Sequence, residues 1–566
     1  KLLELSQAFH PEKLNELLHR PVFCYANVPY RIKPLEALMQ NARSTVTYES
    51  AQAELIEKRV AELGADGKLL LDSRGEVYQV NLLEKLLVPL LCKLDNLVIG
   101  GRIWMNTQRP EWNDANNALV GQGLSMVTLY YLRRYITFLE ALLSTAQATA
   151  DISVEVSEWL VETTGVLERA RGSLLAGRLD DRERRYFLVA LGQAASRYRD
   201  RVYKQEGFTG VIKQDLGELR ELLDHALVAI DFSMQGNRRH DGLYHAYNFL
   251  ELTPDFLKID NLYPMLEGQV AALSSGAMAP EEAVDLLETL FWSDLFRRDQ
   301  NTFLLYPDRD LPGFMEKNTV PADLVEALPL FEMMLQRGDS RIIGCDQAGV
   351  YRFNADLKNA DAVDARLSSL EPEYGGLLAE SRTQVLALYE QVFDHKTFTG
   401  RSGGMFCFEG LGSIYWHMVS KLLLAIQENF FRARAQGADQ DTCERLGDLY
   451  YRVRGGIGFN KAPQDYGAFP TDPYSHTPGH LGAQQPGMTG QVKEEILTRF
   501  GELGVGVNGG AVQFEPGLLR SSEFLSAPGK LRWLDVESVW KELEVPVSGL
   551  AFTWCQVPVV YRLDDS

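Results

Sequence analysis

Apolar residues recur at three-to-four spacing over most of residues 1–500, the rhythm that lays one face of an α-helix against a core. The runs 80–94, 124–143, 154–171, 183–203, 216–234, 280–298, 321–336, 382–393, 413–435 and 442–454 each predict a helix. Two have readable ends. Pro280 followed by Glu281 and Glu282 suits a first turn, where proline's missing N–H costs nothing and acids face the positive end of the dipole. Gly437, just beyond the 413–435 run, suits a stop. Between the helices lie long connections rich in Gly, Pro, Asn and Asp, at 99–122, 299–321, 397–412 and 455–490. Connections of that length in a compact protein usually carry function. Past residue 498 the rhythm changes to alternation, in 505–514 and 550–561, which predicts strands, with Asn508-Gly509 as a hairpin turn. No repeat of solenoid period is present, so the helices are expected to close into one body.

Composition narrows the partners. The chain has 566 residues, 45% hydrophobic and 24% charged, more than one core usually serves and ordinary for a globular protein. A net charge of −20 disfavours nucleic acid and anionic membrane, both of which draw on Lys and Arg patches, and suits a neutral substrate. Any phosphate would need a local cluster of cations and backbone N–H groups. Cys24, Cys92, Cys345, Cys407, Cys443 and Cys555 are scattered without paired spacing, which points to a reducing, cytoplasmic setting. No apolar run approaches a bilayer span. The opening segment is amphipathic and acidic, unlike a secretory signal, and it lacks an initiator Met, so a chain cut from something longer is expected.

The richest chemistry lies in 109–121, which sets Glu111, Trp112, Asn113 and Asp114 just before an apolar helix. An indole face covers the apolar side of a pyranose, amides and carboxylates bind its hydroxyls, and a carboxylic acid can protonate a departing glycosidic oxygen. Taken alone, the same residues read first as a helix N-cap with a packed Trp.

Glu111-Trp112-Asn113-Asp114 resembles the Asp-Trp-Asn-Asp signature of the cellobiose and chitobiose phosphorylase family, with Glu in the first position and the acid position kept. Ser402-Gly-Gly-Met-Phe-Cys-Phe408 is similar to that family's Asn-Gly-Gly-Ile-Phe-Cys-His, with Phe408 where the family has a phosphate-binding His. Gln485-Pro-Gly-Met-Thr-Gly-Gln-Val resembles the family's segment in which Thr and Gly contact phosphate, and Glu502-Leu-Gly-Val to Phe514-Glu-Pro resembles its helix-to-strand passage into a jelly roll. These four matches stand in the family's order within roughly 95–145 and 395–520.

The resemblance implies an (α/α)6 toroid over residues 1–498 with a long insertion around 145–395, then a C-terminal β-domain at 499–566. The family's Gly-Phe-Arg-Asp segment and its N-terminal β-sandwich are not found, so the chain is expected to be the C-terminal part of a protein about twice as long, of the β-1,3- or β-1,2-oligoglucan phosphorylase type. The implied activity is inverting phosphorolysis of β-linked gluco-oligosaccharides, β-1,3 first, releasing α-glucose 1-phosphate. Asp114 would be the general acid; Glu111, Trp112, Asn113, His476 and Glu409 would line the sugar site, with His476 and His480 in second rank. Thr489 and Gly490 would hold phosphate, at the start of a helix that offers free N–H groups. Arg401, Ser402, His417 and Lys421 would stand in for the missing His. His417 reads equally as a packed residue beside Tyr415 and Trp416, and Lys421 as part of a solvated face.

No cofactor and no metal are expected, only inorganic phosphate as co-substrate. The expected partners are an oligosaccharide and phosphate, with neither nucleic acid nor membrane, and a homodimer is compatible. Two other readings stay open: an inverting hydrolase or transglycosidase with Glu409 as its second carboxylate, and a non-catalytic glucan-binding subunit. The segments 238–248 and 304–312, rich in polar and aromatic residues, read either as sugar contacts or as structural loops.

Overall fold

The structure is a computed structural model that describes residues 1–42, 44–106, 119–205, 207–308, 312–393, 414–457, 476–477 and 491–564. The chain is mainly α, with small sheets and a C-terminal run of hairpins. Among the described residues, ten helices form the main body: α1 (Leu82–Leu94), α2 (Met126–Ser144), α3 (Val154–Leu175), α4 (Asp181–Lys204), α5 (Leu216–Gln235), α6 (Leu266–Ser274), α7 (Pro280–Trp292), α8 (Trp416–Gln436), α9 (Gln440–Gly455) and α10 (Gln491–Glu502). The apolar faces of α1 to α9 share one core that runs from Leu14 to Leu518.

Several ends follow from the residues that close them. Asp180 accepts from the N–H groups of Arg182 and Glu183 while Glu183 reaches back to the Asp180 N–H, a complete capping box for α4. Pro280 opens α7 with Glu281 and Glu282 in its first turn, and Gly437 closes α8 in the left-handed region at φ 72°. Other boundaries differ from the periodicity. The 280–298 run stops at Trp292, and the chain turns into a short hairpin, Phe296–Arg297 against Thr302–Phe303, around Asn301 at φ 47°. The 321–336 run is two helices, Ala322–Glu326 and Pro329–Gln336, because Pro329 cannot continue the first and is suited to begin the second. The 382–393 run begins earlier, within Glu371–Phe393, which is broken at Gly375.

The helices of the body fall into two directions. Met126 at the start of α2 donates its N–H to Ala246 O, and Gly268 in the first turn of α6 lies so close to Ala246 and Tyr244 that an added Cβ would meet their backbone at 3.0 Å. At the far end of α6, Arg134 of α2 donates to Ser274 O (3.3 Å) and Asn429 of α8 to Leu273 O (3.0 Å), while Arg134 also binds Glu428 of α8 (2.8 Å). His417 of α8 meets Glu494 of α10 near both starts, and Gln427, farther along α8, donates to Thr498 O. So α2, α6, α8 and α10 run the same way. Arg133–Asp231 and the Arg220 bond to Leu143 O set α5 antiparallel to α2, and the turn at Gly437 reverses α9 against α8.

A five-stranded antiparallel meander sits at one end: β1 (Leu97–Val98), β2 (Arg102–Trp104), β3 (Gly123–Ser125), β4 (Tyr247–Leu252) and β5 (Leu257–Asn261). Farther along, β6 (Ile414–Tyr415) pairs with β7 (His476–Thr477). The C-terminal strands form three hairpins: β8 (Val505–Asn508) with β9 (Ala511–Phe514), β10 (Gly529–Leu534) with β11 (Trp540–Val545), and β12 (Gly549–Trp554) with β13 (Val557–Arg562). The first turn is Gly509-Gly510, one residue later than Asn508-Gly509, with both glycines at positive φ (58° and 78°) as a two-residue hairpin turn requires. Tyr561 donates to Leu503 O, and the Trp554 ring meets Phe500 edge-on at 5.2 Å, tying the last hairpin to α10.

Residues 320–393 have a second core of their own, in which Phe353 packs its ring against Phe331, Tyr389 and Phe393. Asn318 is buried there and bonds both the N–H and the C=O of Phe353, doing a strand's work with one amide. No described helix is long and apolar enough to cross a membrane.

Candidate functional site

Of the residues named from the sequence, Glu111, Trp112, Asn113, Asp114, Arg401, Ser402, Glu409, His480, Thr489 and Gly490 lie outside the described residues, as does Phe408. His417 and Lys421 are described in full, and His476 by its place in β7. What the structure fixes is where the undescribed connections join the body.

The 107–118 connection leaves from β2 and re-enters through β3. Its stems are clamped by Gly121 N–H to Met105 O (2.6 Å), Met105 N–H to Gly123 O (2.9 Å) and the Trp104 indole to Gly121 O (3.0 Å). β3 then leads into α2, whose N-cap Ser125 accepts from Thr128 N–H. The 394–413 connection returns through β6 into α8, and Thr489-Gly490 directly precedes α10. All three connections therefore feed helices of the common direction. Pairing of β6 with β7 places His476 opposite Tyr415, two residues from His417.

At this junction the Tyr415 and His417 rings stack at 5.7 Å, and His417 Nδ1 lies 3.9 Å from Glu494 Oε2. Lys421 follows one turn later on α8, half-buried. The sequence reading missed the carboxylates that share the spot. Glu494 stands in the first turn of α10, where it suits the dipole but opposes an anion at the same N-terminus, and Glu495 follows it. Burial raises Glu495 to about 7, Arg454 opposing and Glu502 adding to the shift. Below them Glu502 is fully buried, accepting from Tyr450 OH (2.5 Å) and paired with Arg454 (2.9 Å) and Arg499 (2.6 Å). Two guanidinium groups and a phenol satisfy this carboxylate, which fixes α9 against α10. An adjacent acidic pair at a helix start is too common a cap signal to have marked the site in advance.

The described parts of the two segments read as sugar-compatible both lie against the start of α6. Leu266 N–H donates to Leu305 O (2.8 Å), and the Tyr263 and Tyr306 rings meet edge-on at 6.1 Å, so 304–306 packs beside the start of α6, and Tyr244 and Ala246 approach it at Gly268.

Residues 311–396 match the family described as GH149 phosphorylase insertion domain 2, and the described part of that match is the unit with its own core at 320–393. A comparison with curated proteins finds no match. The matched domain is one of glycoside phosphorylases of the GH149 type, and it supports that class of enzyme for this chain.

Proposed function

We propose that the chain carries out inverting phosphorolysis of β-linked gluco-oligosaccharides, β-1,3 first, with Asp114 as general acid. The observation that carries this reading is the match of 311–396 to a phosphorylase insertion domain, set between segments whose residues resemble phosphorylase signatures. The common direction of α2, α6, α8 and α10 adds support, since it is the arrangement an inner ring of a toroid would have. In this reading the protonated Asp114 gives its proton to the glycosidic oxygen while phosphate attacks the anomeric carbon from the opposite face. Phosphate is already an anionic nucleophile at neutral pH, so no second carboxylate is needed to activate water. Thr489 and the Gly490 N–H would hold the phosphate, with Arg401, Ser402, His417 and Lys421 supplying charge and donors. Glu111, Trp112, Asn113, His476 and Glu409 would hold the sugars.

Phe408 favours a second reading, because a phenyl ring cannot donate to phosphate: an inverting hydrolase with Glu409 activating water. The test is to incubate the protein with β-linked glucose oligomers with and without phosphate, and with α-glucose 1-phosphate in the reverse direction. Glucose 1-phosphate formed only with phosphate, and phosphate released in reverse, support phosphorolysis. Reducing sugar formed equally in both buffers supports water as nucleophile.

A further inference from the structure

We propose that the pocket between the end of α5 and the β5–α6 connection binds a small oxyanion, inorganic phosphate or a phosphate monoester. The inference stands apart from the assignment of Asp114 and Thr489. The cavity has a volume of about 590 Å³ and is lined by Arg238, Arg239, His240, His245, Asn261 and Tyr263 among others. That is within the range of small-molecule sites and larger than phosphate alone requires.

The decisive group is Arg102, at the start of β2. Its side chain is 1% exposed, among the most deeply buried in the protein. Nη2 makes a long bond of 3.4 Å to Asn261 Oδ1 on the pocket wall, and Nε has no hydrogen-bond partner. Among the described residues no carboxylate pairs with Arg102, and its neighbours are Tyr130 and a second cation, Arg184. Burying a guanidinium without a counter-charge is expensive, and burial lowers Arg102 to about 9. An anion in the adjoining pocket supplies what is missing.

The rim fits the same ligand. Arg239 is held by Asp241 at 2.8 Å, leaving Arg238 as a further cation at the mouth. His245 points Nδ1 at Leu262 O (3.0 Å), and burial with the Arg102 and Arg239 charges lowers it to about 4, so it is neutral at pH 7. Glu267, the acid at the start of α6, is engaged by Tyr247 OH. The last carbonyls of α5 accept from the N–H groups of Gly236, Asn237 and Arg238, and the arginines at the mouth face the negative end of that helix. In a chain of net charge −20, this is the kind of local cationic cluster that phosphate capture demands.

Hydrogen–deuterium exchange read by mass spectrometry on peptides covering 236–248 and 258–265 tests the proposal. Millimolar phosphate, α-glucose 1-phosphate and a neutral β-linked glucose oligomer are compared at matched ionic strength. Protection by either anion is expected in the wild type and in Thr489→Ala, with the apparent affinity about tenfold weaker in Arg238→Gln and in Arg239→Gln. The tighter of the two anions identifies the source. Absence of protection, protection that survives both arginine variants, protection by the neutral oligomer alone, or its loss in Thr489→Ala would each overturn the proposal.

Discussion

In the unit at 320–393 every side chain of the core comes from one continuous stretch, Val320 to Phe393, whereas the core of the helical body gathers residues from Leu14 to Leu518. The first closes on itself through near neighbours: Asn318 on Phe353, Tyr389 OH on Leu357 O, Arg341 on Asp339 and Glu373. The second depends on distant partners, such as Arg134 with both Glu4 and Glu428. A locally closed unit can be inserted whole between two helices and keeps a sequence pattern compact enough to be matched by itself. The body's pattern is spread over segments that acquire meaning only when brought together. All the residues proposed for catalysis lie outside 320–393 in the sequence.

Four measurements bear on that contrast. The largest effect is expected at Asp114 of the body: Asp114→Asn should lower phosphate release by roughly 10²–10⁴-fold with an unchanged melting temperature, and wild-type rates would remove the acid assignment. Next, Phe353→Ala should cost about 3–5 kcal/mol in the inserted unit and leave the body's unfolding transition in place. Calorimetry that shows one transition moving as a whole would dissolve the distinction between the two cores. Asp180→Ala, which removes the capping box of α4, should cost the body about 1 kcal/mol, seen as a lower denaturant midpoint for the body's transition alone.

The fourth measurement concerns pH. Glu495 is raised from 4.5 to about 7 in the folded protein. Below 4.5 both states hold the proton, and as pH rises toward 7 the unfolded chain ionises first, so stability falls across that window. Glu495→Gln should flatten this slope and unfold later than the wild type at pH 8, as followed by circular dichroism; equal slopes would show that Glu495 is not strained.

Much of the helical body was legible because three-to-four spacing reports burial directly, and Pro280 and Gly437 mark ends by what proline and glycine can and cannot do. Pro329 was not read as a boundary, since apolar spacing continues across it. The meander escaped notice because β1, β2 and β3 have two or three residues each, too few to show alternation. The body's buried polar groups were also hidden. Glu84 is sequestered by Ser153 and Tyr25, and Glu502 by Arg454, pairings that sequence spacing cannot announce. For the site, His417 was named from its place just after the 402–408 segment, as a stand-in for the family's His, but its neighbour Glu494 comes from another helix and is known only from the fold.

The two-residue pairing of β6 with β7 places a constraint on anyone who would graft a different connection onto this scaffold. Ile414 is wholly enclosed and sets the register, with Thr477 opposite it. A replacement that slips by one residue exchanges the two faces of the ribbon, so spacing to position 476 matters as much as the choice of residue there.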